Sequence, residues 1–153
     1  MDNRKKRRIE ALEAMNGWMN IEMSDLRQTQ RQANDRLHVL AERIKVIDGE
    51  ISEAESCVRA ALDPGANLIL EEYQMLLTYL DHKQRIRVNN ERQHGFARDR
   101  LVKIEDEMTQ QGLKIRGMEN LLERRQRELE LDKDNKQLSL LDEAWLQKQR
   151  NEG

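Results

Sequence analysis

Asp63-Pro64-Gly65-Ala66-Asn67 carries the only proline of this 153-residue chain and its densest turn chemistry. Proline cannot continue a helix, glycine tolerates a positive φ, and asparagine can cap a helix that follows. The five residues read as a turn between two helices, the first over about 5–62 and the second over about 68–149.

Working back from the turn, apolar residues recur at alternating steps of three and four. From Ile9 the stepping passes through Leu12, Asn16, Met19, Met23, Leu26, Gln30 and Ala33. It continues through Leu37, Leu40, Ile44, Ile47, Ile51, Ala54, Val58 and Ala61, with only Asn16 and Gln30 polar. A sustained repeat of this kind buries one narrow seam against a partner helix and implies left-handed supercoiling. Asp48-Gly49 resembles a turn signal, but the repeat crosses it in phase, so it reads as a glycine inside a helix.

Working forward, the stepping begins with Ile69, Tyr73, Leu76 and Leu80. It then turns polar at Lys83, Arg87, Asn90 and His94, and becomes apolar again at Ala97, Leu101, Ile104, Met108, Ile115, Met118 and Leu122. A shifted stripe of Tyr79, Ile86 and Gln93 accompanies the polar stretch, which predicts a stutter there. The second arm is the longer one. A turn centred near residue 64 sets Arg4 opposite Arg125, leaving the helix from residue 126 onward uncovered. That stretch still carries Leu129, Leu131, Leu138, Leu140, Leu141, Trp145 and Leu146, and an uncovered apolar face is either frayed or occupied by a partner. The expected fold is all-α: a single domain over 1–153, built as a long antiparallel two-helix coiled-coil hairpin with a C-terminal helical overhang. A parallel dimer would have to carry Pro64-Gly65 through its middle, whereas a short turn supplies the second helix at high effective concentration.

Composition agrees with long helices. Charged residues make up 37% and aromatics 3%, too little material for a globular core, and mean hydropathy is −0.94. The net charge of −2 offers no global field to attract a polyanion. One cysteine, Cys57, allows no internal disulfide and fits a reducing compartment. No apolar run reaches the roughly 20 residues of a membrane span, and nothing after Arg4-Lys5-Lys6-Arg7-Arg8 resembles a signal-peptide core. The expected location is the cytoplasm.

Catalytic and metal patterns are missing from the sequence. His38, His82 and His94 are scattered, Cys57 has no companion, and the glycines form no phosphate loop. The chain reads as a non-enzyme without cofactor or metal. The basic cluster Arg4–Arg8 lacks the area and stacking aromatics that nucleic-acid binding needs. With Met15, Trp18, Met19 and Met23 behind it, it could rest on a membrane surface, dock a protein, or simply be a solvated helix start. Trp145 on an uncovered helix is the type of residue that anchors protein interfaces.

The layout resembles the FliJ/YscO family of type III secretion and flagellar export. The local match is Met118-Glu119-Asn120-Leu121-Leu122-Glu123-Arg124-Arg125-Gln126-Arg127-Glu128, followed by Lys136-Gln137 and Leu141-Asp142-Glu143, with one residue more between Gln137 and Leu141 than the family pattern. The resemblance implies a central stalk of the export ATPase, shaped like the γ subunit of rotary ATPases, that promotes assembly and hydrolysis of the hexameric ring. It also implies contact with the export gate, transfer of substrate chaperones, and a peripheral place at the inner-membrane secretion apparatus, in either a flagellar or a virulence-type system. On that reading the ATPase-binding residues are Arg4, Lys5, Lys6, Arg7, Arg8, Leu121, Leu122, Arg124, Arg125, Leu129, Leu138, Leu141, Asp142, Glu143 and Trp145. The gate-binding residues are Tyr73, Leu77 and Leu80. A self-associating cytoplasmic scaffold and a dedicated export chaperone are the alternatives, separable by molar mass in solution and by co-purifying clients.

Overall fold

The computed structural model describes residues 2–67 and 69–152. Leu68, expected to open the second helix, lies outside the described residues, as do Met1 and Gly153. Two helices, α1 (Asp2–Ala61) and α2 (Leu70–Glu152), hold almost everything described, and they pack against each other. No strand occurs among the described residues. Long unbroken helices follow from a sequence whose single proline is Pro64 and whose surface carries i, i+4 ion pairs such as Arg85–Asp81 at 3.2 Å. Gly49 lies inside α1, as its place in the repeat requires.

The connection is longer than the turn chemistry indicated. Leu62 N–H still donates to the carbonyls of Val58 and Arg59 at 3.2 Å, and Ala66 N–H to that of Asp63 at 3.1 Å. Gly65 does not use a positive φ. Asn67 is not at the cap position either. The carbonyl of Ile69 accepts from Tyr73 N–H at 3.0 Å, which puts Ile69 at the flanking position of α2. Charge serves where a cap is lacking: Glu71 and Glu72 occupy the first turn, where the helix dipole favours acids.

Two compact units divide the chain. One is Arg27–Asp106. Its α1 positions Ala33, Leu40, Ile47 and Ala54 are buried, Leu40 to 1% exposure, and Ile104 of α2 is buried with them. Both stripes of the polar stretch are partly covered: Lys83, Arg87 and His94 are half-buried and Asn90 is buried, and Ile86 and Gln93 of the shifted stripe are half-buried too, while Tyr79 is exposed. Ion pairs across the helices support the polar members, because Lys83 meets Glu50 at 2.5 Å and Arg87 meets Asp48. Their aliphatic stems can then fill seam positions while the charged heads find acids at the rim.

The other unit is Met1–Leu26 with Glu107–Gly153. Ile9 and Leu122 are buried in it at 8% exposure, and Gln111 at 7%. Within this unit partner numbers rise on α1 as they fall on α2: Lys5 with Asp132, Glu13 with Gln126, then Met19 and Glu22 with Gln111. Asp132 is the last half-buried residue of α2, and the fully exposed stretch starts at Lys133 rather than at residue 126. The reason lies in the helix bounds. α1 begins at Asp2, several residues earlier than expected, and α2 at Leu70, slightly later, so pairing reaches further along α2.

Candidate functional site

From Lys133 to Glu152 every residue of α2 is exposed. Leu138 is 60% exposed, Leu141 67% and Trp145 60%. Steps of three and four put these three on one face of the helix. Leu140 and Leu146 are exposed beside them, and Asp142 and Glu143 flank them. Such a face can bury apolar area against a partner groove, with Trp145 as its largest contact surface.

The remaining residues of the expected ATPase surface divide into groups with different roles. Arg4, Lys6, Arg7 and Arg8 are exposed on the first turns of α1. Lys5 is tied to Asp132, which anchors the start of α1 to the point where cover ends. Leu129 is half-buried and lines a shallow cleft with Ile9, Lys6 and Gln126, so it closes the helix pair instead of facing outward. Leu122 is buried and Leu121 half-buried, both belonging to the interior. Arg124 is exposed, and Arg125 donates to Glu128 at 3.1 Å. The structure thus brings Arg4–Arg8 and the root of the exposed stretch together through Lys5–Asp132.

In the Arg27–Asp106 unit, Tyr73 and Leu80 are half-buried seam residues, while Leu77 is 40% exposed. Larger apolar surface lies elsewhere in that unit. Met75 is 72% exposed, Phe96 67% and Val46 58%. A groove of about 620 Å³ is lined by Val39, Val46, Ile47 and Ile86 together with Lys83 and Asn90. Sequence reading missed it because Val39 and Val46 fall outside the seam repeat. A search for a second apolar stripe, offset from the first, would have found them.

Electrostatics in this unit centre on the cross-helix pairs. The hydrogen bond to Glu50 holds the Lys83 ammonium above the ordinary lysine value of 10.5, against the opposing effect of desolvation. Tyr79 adds a ring contact 5.4 Å from the Lys83 nitrogen. Arg87 is likewise raised, first by its bond to Asp48 and then by the charges of Asp48 and Glu91.

Among the described residues no cluster of His, Cys, Asp and Glu could hold a metal ion. Among the same residues no helix is long and apolar enough to cross a membrane. Comparison with protein-family models, curated proteins and solved structures finds no match to this chain.

Proposed function

We propose that this chain is a non-enzymatic stalk of a type III secretion or flagellar export apparatus, acting in the cytoplasm beside the inner membrane. Its architecture on this reading is an antiparallel two-helix coiled-coil hairpin with an uncovered extension of α2. The opposed run of partner numbers within the Met1–Leu26 and Glu107–Gly153 unit supports the pairing direction. One observation carries the functional part: a continuous helix from Lys133 to Glu152 presents Leu138, Leu141 and Trp145 to solvent on one face.

An export ATPase ring closing around that stretch would bury the apolar face, while Arg4, Lys6, Arg7 and Arg8 meet acidic residues of the pore. Charge orients and accelerates such docking, and apolar burial holds it. Leu77, flanked by Tyr73 and Leu80, is the contact offered to the export gate, and substrate chaperones are further partners.

The test is deletion of residues 133–153. The shortened chain should keep its helix pairing and thermal transition, because every residue from 133 to 152 is exposed and the buried positions Ile9, Gln111 and Leu122 are retained. It should lose binding to the cognate export ATPase and stimulation of ATP hydrolysis. Undiminished stimulation by the shortened chain would sink the proposal.

A further inference from the structure

The first 25 residues of α1 carry a second stripe besides the seam. At about 100° per residue, Arg4, Ala11, Met15 and Trp18 share a face that lies about 100° from Ile9, Leu12 and Met19. Trp18 is 64% exposed, Ile21 56% and Met15 50%. Ala11, Ala14, Arg4, Arg7 and Glu22 are exposed too. The order along the stripe is basic, then small and large apolar, then acidic at Glu22 and Asp25.

We propose that this stripe binds a second copy of the chain, antiparallel, about a two-fold axis beside Ala14 and Met15. In that register Arg4 of each copy faces Asp25 of the other, and Arg7 faces Glu22. Ala11 faces Trp18, so the smallest residue of the apolar stretch receives the largest side chain. Ala14 faces Met15 at the axis. Each pair occurs twice. A two-fold interface requires such self-complementarity of one patch.

The charge order selects this occupant. Parallel association would set Arg4, Arg7 and Arg8 against their own copies. An anionic bilayer would attract the basic end but repel Glu22 and Asp25 on the same face. Only the antiparallel copy sets both ends against opposite charge. Glu22 accepts from Gln111 within its own chain at 3.1 Å, and a carboxylate has capacity for a further donor. This dimer does not rest on the export-ATPase reading, and because it occupies Arg4 and Arg7 it competes with their docking to an ATPase pore.

Sedimentation equilibrium of the full chain from about 1 to about 200 µM measures it, spanning the range where small helix–helix contacts associate. A reversible monomer–dimer equilibrium is expected. Trp18→Glu should weaken it at least tenfold without changing helicity or melting temperature, since the indole faces solvent in the single chain. Arg7→Glu and Glu22→Arg should each weaken it similarly. An equimolar mixture of those two variants should recover dimer as a heterodimer, because each copy then supplies the charges the other needs. If Glu22→Arg disturbs the fold through Gln111, Arg4→Glu mixed with Asp25→Arg repeats the exchange. A single-chain mass at every concentration overturns the proposal. So does a dimer that survives Trp18→Glu, or a mixture that stays monomeric.

Discussion

The side-chain amide of Gln111 on α2 donates to the backbone carbonyl of Met19 on α1 at 3.0 Å, and to the Glu22 carboxylate at 3.1 Å. A bond from a side chain to a helix backbone cannot follow a sliding partner without breaking, so it pins the register at this level. Gln111→Ala should lower stability by about 1–2 kcal/mol, the usual cost of losing a buried hydrogen bond. Exposed Gln110→Ala should stay within about 0.5 kcal/mol of the wild type. Urea unfolding followed by circular dichroism compares the two, and equal effects would deny Gln111 a special role.

Asn16 has the opposite balance. It occupies a seam position, and its Oδ1 is buried without a hydrogen-bond partner. An unpaired buried carbonyl costs about 1–3 kcal/mol, and a polar seam residue is tolerated chiefly because it disfavours wrong registers. Asn16→Leu should therefore raise stability by about 1–2 kcal/mol and broaden the set of alignments the helices sample. Denaturant midpoints would show the first effect; a midpoint that falls would mean the amide has a partner in solution.

The Lys83–Glu50 pair makes a pH prediction. Glu50 holds the Lys83 ammonium above its ordinary value of 10.5. Its contribution is complete below the ordinary lysine value and disappears as pH rises through the raised one. Lys83→Met removes that dependence. Between about pH 9 and pH 12 the wild type should lose more melting temperature than the variant. Parallel loss in both proteins would show that the pair does not persist in solution.

Gly49 sits inside α1 with nothing within 4 Å of where a Cβ would stand. Neither a close approach nor a positive φ requires glycine there. Gly49→Ala should add about 0.5–1 kcal/mol by reducing the freedom of the unfolded chain and improving helix propensity. A thermal melt checks it, and a decrease would mean that another surface approaches this point.

Amide exchange should separate covered from uncovered α2. Residues 133–152 have no buried side chain, so local opening there costs little. They should exchange much faster than residues 101–122, where Ile104, Gln111 and Leu122 are buried. Equal protection of both stretches in the isolated chain would show that something covers the extension.

By itself the sequence determined the two helices, the break around Pro64 and the seam of α1. Every position of the stepping from Ile9 to Ala61 is buried or half-buried in the structure. Periodicity can carry this much because a helix fixes the angular position of each residue, and proline excludes itself from helix interiors whatever surrounds it. Which residue faces which across the pair was decided only by tertiary structure. The helix bounds set cover as far as Asp132, which placed Leu129 in the cleft beside Ile9 and left Leu138, Leu141 and Trp145 outside. Lys83 and Arg87 read as defects in a hydrophobic repeat until Glu50 and Asp48 stood opposite them. A repeat records only which side of its own helix is buried. An ion pair between helices depends on register, and register is settled by all the contacts of both helices acting together.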